Sequence, residues 1–196
     1  MARPVYFITH PDVLVSADVP VPEWPLSELG RARMMRGLTQ PWVTRITSVY
    51  SSTEQKAIDG AEILARHLAL LFKQVPDLGE NDRSSTGFLP PSEFESAADE
   101  FFARPDASVR GWERAVDAQS RIVQAVERIV ASDQTAGAIA LVSHGAVGTL
   151  LYCQLAGNAI DRRYDQPANG GGNFFQLSLA PPVVYSSWAA IDQPAI

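Results

Sequence analysis

Two histidines in this 196-residue chain end the same kind of segment. Val5–Ile8 is a short apolar run of β-branched and aromatic residues that stops at Thr9-His10-Pro11, which predicts a buried strand closing in a turn. Ala138–Val142 is a second such run, and it stops at Ser143-His144-Gly145. Ligands in open α/β sheets bind beyond the carboxyl ends of strands, where both imidazoles are expected. A lone strand-end His is an ordinary loop residue; a matched pair fits a site in which one imidazole attacks and the other supports the transferred group. The third histidine, His67, falls inside a helical pattern, where a partly exposed structural role is expected.

The elements that position this pair follow in order. A proline-rich loop covers Ser16 to Pro25. Ser27 reads as the N-cap of a helix reaching about Leu38, with Pro41 ending it. Ile46–Tyr50 predicts a strand closing in Ser51-Ser52-Thr53, and Glu54 to Leu71 carries apolar residues at helical spacing. A short strand is expected at Gln74–Leu78, then a polar loop from Gly79 to Gly87. Pro90-Pro91-Ser92 opens a helix filled by Glu93–Ala103, and Gly111 to Ala131 predicts a long amphipathic helix. Another helix should follow Gly145. Phe174–Leu179 and Val183–Trp188 read as closing strands, near enough in sequence for a hairpin or antiparallel edge. Gly170-Gly171-Gly172 lacks phosphate-loop spacing and reads as a flexible turn. Strands alternating with helices predict a three-layer α/β/α sandwich around a mainly parallel sheet, as one domain over residues 1–196.

Composition excludes some classes. Hydrophobic residues make up 46% and charged ones 19%, as in ordinary globular domains. The net charge of -6, with no Lys/Arg-rich run, argues against nucleic acid as a partner. Cys153 is the single cysteine and lies in an apolar run, so no internal disulfide or cysteine-based metal site is expected. No signal-like segment or bilayer-length apolar stretch is read, and a cytoplasmic protein without a membrane partner is the expectation.

Five pieces, in order, resemble the histidine phosphatase superfamily, the group of phosphoglycerate mutases and histidine acid phosphatases. Thr9-His10-Pro11 stands where that family has Arg-His-Gly, and Pro25-Leu26-Ser27-Glu28-Leu29-Gly30 is close to its Pro-Leu-Thr-Glu-Leu-Gly. Ser51-Ser52-Thr53-Glu54-Gln55-Lys56-Ala57 resembles its Ser-Ser-Pro-Leu-x-Arg-Ala. Leu78-Gly79-Glu80 sits where it often has an acidic residue, and Val142-Ser143-His144-Gly145 matches its second-histidine motif unchanged. The resemblance implies a phosphoglycerate mutase-like fold and a phosphohistidine mechanism without metal or other cofactor. His10 would be the nucleophile, His144 the second imidazole on the phosphoryl oxygens, and Glu80 the group that protonates the leaving oxygen and then activates water.

The departures fall on the phosphate ligands. The resembled arginines are Thr9 and Lys56 here: a hydroxyl and a compact ammonium replace two planar forks. Pro11 in place of Gly removes a backbone N–H and restricts the residue before it. Arg83 is either a replacement phosphate ligand or a solvent-facing loop charge, and Arg110 is a poorer candidate. Two readings therefore stand: a phosphatase with an altered pocket, or a weak or silent member that binds a phosphorylated ligand or partner protein. A mutase is disfavoured, because this chain is short where the family's mutases carry insertions. The substrate would be a small-molecule phosphate ester or a phosphorylated protein, walled by the Glu80–Pro91 loop, Phe88 and the segment around Trp112. Oligomeric state is left open.

Overall fold

The computed structural model describes residues 3–193. Seven strands form one sheet: β1 (Val5–Thr9), β2 (Ile46–Ser51), β3 (Phe72–Gln74), β4 (Ala138–Ser143), β5 (Asn173–Leu179), β6 (Pro182–Val184) and β7 (Ala189–Ala190). Their order is β3-β2-β4-β1-β5-β6, with β7 beside β5. The first four in that order are parallel; β5 lies antiparallel to β1, and β6 and β7 antiparallel to β5. Five helices cover the sheet: α1 (Glu28–Gly37), α2 (Gln55–Leu68), α3 (Pro91–Ala103), α4 (Ala115–Ser132) and α5 (Gly145–Leu155).

Alternation along β1 divides the helices between two layers. Val5 and Phe7 join a core with Phe101 of α3, Ile122 of α4 and Leu150 of α5. Tyr6 and Ile8, pointing the other way, pack with Met34 of α1 and Leu64 of α2. Burial on both faces explains why β1 and β4 read as continuous apolar runs rather than alternating ones. The fold is thus the three-layer α/β/α sandwich expected from the strand–helix alternation.

Several boundaries differ from the sequence expectation. Ser27 caps α1 as expected, accepting from the Gly30 N–H at 3.0 Å. The short strand expected at Gln74–Leu78 is instead Phe72–Gln74, because Pro76 starts a 3₁₀ turn through Leu78. α2 stops at Leu68, where Ala69 turns left-handed. α4 starts at Ala115, not Gly111: Arg110 and Gly111 both have positive φ, which no helix accommodates. Trp112 therefore lies before the helix, its ring buried and its N–H donating to Thr86 Oγ1. Of the strand expected at Val183–Trp188 only Val183–Val184 is extended, within β6; β7 begins after Trp188, whose ring turns against Phe7 and Phe175.

The glycine triplet is not a free turn. Gly170, Gly171 and Gly172 all have positive φ, and a Cβ on Gly171 would lie 2.3 Å from the His10 carbonyl oxygen. The Gly172 N–H donates to that same oxygen at 3.0 Å. Gly171→Ala is therefore expected to cost at least about 2 kcal/mol, from the left-handed φ and the backbone clash together. Urea unfolding reads this directly; a loss within 0.5 kcal/mol, about that of an ordinary surface change, would mean the turn yields.

Candidate active site

β1 and β4 run side by side with Thr9 opposite Ser143, so the residues that follow them leave the sheet together. The His10 N–H donates to the Ser143 carbonyl at 3.0 Å, which extends the ladder by one bond. The two imidazoles meet edge to face with centroids 5.2 Å apart. His10 Nδ1 lies 3.0 Å from the Pro11 carbonyl oxygen. A carbonyl only accepts, so Nδ1 carries the proton and Nε2 keeps the lone pair a nucleophile needs.

Burial, then the Lys56 ammonium, push His10 down to about 4, so the ring is neutral near pH 7. His144 is wholly buried, and burial drives it well below its ordinary value. It is the N-cap residue of α5, where the helix dipole also disfavours a cation. Its Nε2 lies 2.7 Å from Ser52 Oγ and 3.3 Å from Glu54 Oε1.

Glu80 sits beside the pair. Its carboxyl oxygens accept from the Ala146 and Val147 N–H groups at 3.2 and 3.1 Å, at the amino end of α5. Burial nevertheless raises its pKa, against the attraction of Arg83 and with repulsion from Glu54. Glu80 and Arg83 line two adjoining cavities, of about 420 and 400 Å³. The second also contains His10, Trp112 and Gln166. The Arg83 guanidinium lies 5.1 Å from the Phe94 ring centroid and 5.7 Å from that of Trp112, and makes no ion pair among the described residues. Phe88 lines a third apolar recess with Arg83 and Trp24.

The other predicted ligands are placed differently. Thr9 is fully buried; its hydroxyl donates to Gln166 Oε1 at 2.6 Å and accepts the Asn173 N–H at 2.9 Å. That spends its one proton inside the protein. Lys56 is buried too, with its ammonium donating to the Val21 carbonyl at 2.8 Å and to Glu54 Oε2 at 2.5 Å. Arg110 pairs with Glu93 at 3.2 Å, outside both cavities.

Glu54 was not anticipated. It reaches the site from the turn before α2, lines the larger cavity, and accepts the Glu80 N–H at 2.9 Å. Burial opposes its charge, but His144, Lys56 and that N–H outweigh burial and hold it down at about 2. Its sequence signal was a Glu where the resembled segment has Leu. Gln166, which fixes Thr9, carried no sequence signal.

Solved structures share the fold at low sequence identity. Mycobacterial glucosyl-3-phosphoglycerate phosphatase, in complex with inorganic phosphate, superposes with a TM-score of 0.79 at 19% identity, covering 98% of this chain and 100% of the other. YhfR of Bacillus stearothermophilus gives 0.79 at 22% identity, over 98% and 100%. A putative α-ribazole-5′-P phosphatase from Escherichia coli gives 0.74 at 16%, over 100% of both. No curated protein sequence matches the chain significantly. No helix among the described residues is long and apolar enough to cross a membrane. The family description that matches spans residues 16–172, beginning after His10 and running through Glu54, Lys56, Glu80 and His144 to the glycine triplet. Over that span, well above half its length, the chain belongs to the histidine phosphatase superfamily, branch 1.

Proposed function

We propose that this protein is a phosphoric monoester hydrolase acting through a phosphohistidine on His10, with no metal required. The observation that carries the reading is the pair of neutral imidazoles 5.2 Å apart at the ends of β1 and β4, with His10 Nε2 left free to attack. The Nε2 lone pair forms the N–P bond as the ester P–O bond breaks, and protonated Glu80 gives its proton to the departing oxygen. Water then attacks the phosphohistidine, the Glu80 carboxylate takes the water proton, and inorganic phosphate leaves with His10 restored. Lys56, Arg83 and the amino end of α5 supply positive potential for the phosphoryl oxygens.

Cavities of about 400 Å³ suit an ester of a small molecule. The setting we infer is the cytoplasm, in keeping with a lone, buried Cys153. A silent binding protein is the second reading, favoured by the internal commitments of Thr9 and Lys56.

Phosphoryl trapping decides between them. Purified protein mixed with a labelled aryl phosphate in chelator and quenched rapidly is expected to carry an acid-labile, base-stable label at His10. Hydrolysis with no protein-bound label under any quench, or hydrolysis that chelator abolishes, would rule out the phosphohistidine scheme. Absence of hydrolysis across a broad set of phosphate esters would favour the silent reading.

A further inference from the structure

In Glu54 a carboxylate stands where an anionic ligand would. Its Oε2 lies 2.5 Å from Lys56 Nζ and its Oε1 3.3 Å from His144 Nε2, while Oε1 also accepts the Glu80 N–H at 2.9 Å. An ammonium, an imidazole and a backbone N–H converging on acceptor oxygens are the contacts expected of a bound phosphoryl group. Here the protein supplies the acceptor itself.

We propose that Glu54 is a specificity-determining residue whose carboxylate is the internal occupant of the anion pocket, so that phosphate binds only by displacing it from Lys56 and His144. This rests on the phosphatase reading only in taking the space beside His10 and His144 as the phosphoryl site. The displacement is geometrically available, because Glu54 borders the larger of the two cavities and, among the described residues, its carboxylate takes one backbone donor, the Glu80 N–H. It is also unfavourable, since a phosphate entering the site meets a negative charge in largely buried surroundings where water screens weakly. Lys56, tied to Glu54 and to the Val21 carbonyl, is a cation already satisfied within the protein. Arg83 is the site cation with no carboxylate partner among the described residues.

Calorimetric titration of inorganic phosphate into the full-length protein tests the assignment. Glu54→Gln keeps the size of the side chain and an acceptor oxygen for the Glu80 N–H but removes the charge. It is expected to tighten phosphate binding by about tenfold or more, the change a shift of ~1.4 kcal/mol gives. Adding Lys56→Ala should erase that gain, as expected of coupled neighbours. Should Glu54→Gln unfold early, Glu54→Leu, which restores the residue of the related motif, reads the same quantity.

Phosphate affinity in both variants no tighter than in the wild type, with unfolding temperatures unchanged, would overturn the proposal. Aryl phosphate turnover on the same samples separates it from the function proposed above. Tighter phosphate binding with no turnover in any variant upholds the role of Glu54 and removes the phosphatase. Turnover in the wild type with no gain in either variant does the reverse. Failure of wild type and variants alike to bind phosphate removes both.

Discussion

His10→Gln is expected to lower turnover of an aryl phosphate on the order of 10⁴-fold or more, because it removes the atom on which the proposed phosphohistidine would form. The same substitution has a second signature in stability. His10 is held down to about 4 by burial and the nearby Lys56, against 6.5 in the unfolded chain. Between those values the unfolded state binds the extra proton, so folding stability falls as pH drops from 6.5 toward 4. Between pH 7 and pH 5 this one group accounts for about 2 kcal/mol of lost stability in the wild type. The His10→Gln protein should lack that component, giving a shallower acid dependence in urea unfolding. Parallel pH–stability curves for the two proteins would mean that His10 is more solvated than its surroundings imply. Glu54 adds a separate acid-sensitive component at lower pH, since its carboxyl is held at about 2 and its stabilisation is lost as pH falls from 4.5 toward that value.

Glu80→Gln is the second large change, with an expected loss of about 10²- to 10⁴-fold for a general acid and base. Glu80 accepts the Ala146 N–H on one carboxyl oxygen and the Val147 N–H on the other, so Gln keeps one of these bonds and sets an NH2 donor against the second N–H. Urea unfolding of the variant reads the cost of that lost bond separately from the loss of proton transfer. The pH profile sharpens the test. On the proposed mechanism the reactive form has His10 neutral and Glu80 protonated, which ordinary values of 6.5 and 4.5 make scarce at every pH. Burial reverses the order here, lowering His10 to about 4 and raising Glu80. In the wild type, kcat/KM should fall on the acid side near pH 4 and on the alkaline side as Glu80 ionises. Glu80→Gln should keep the acid limb and lose the alkaline one. An alkaline limb that survives in the variant would assign the proton to a group other than Glu80.

The frame of this protein was legible because its signals are local. β1 and β4 are unbroken apolar runs of β-branched residues, and their shared ending in His10 and His144 places both rings on one edge of the sheet. Helix α2 was legible from its spacing, and α1 from Ser27. What failed to show depended on contacts across many residues. Nothing near Thr9 announces that Gln166 and Asn173, more than 150 positions away, take its hydroxyl. Glycines at 170–172 suggest freedom, yet the His10 loop packed against them removes it. Lys56 was visible as a cation, but its partner is two residues away on the same turn, an i,i+2 pair that helical spacing would have set apart. Glu54 was visible as a charge replacing an apolar residue; its reach to His144 follows only once β2 and β4 lie side by side.

The pairing of β1 with β4 carries a consequence for how such a protein can diversify. The spacing between the two imidazoles is inherited from a sheet repeat of about 4.8 Å, fixed by main-chain bonding and indifferent to side-chain identity at the rim. The rim is built from other material: the turn that carries Glu54, the loop that carries Arg83, and the segment ending in Gln166. On the proposed reading, exchange of those segments would alter which anion is admitted and how strongly it is resisted, while the two imidazoles keep their geometry. Charge in this pocket is thus tuned in units that can be swapped one at a time against a fixed distance standard, much as a gauge block serves many fixtures.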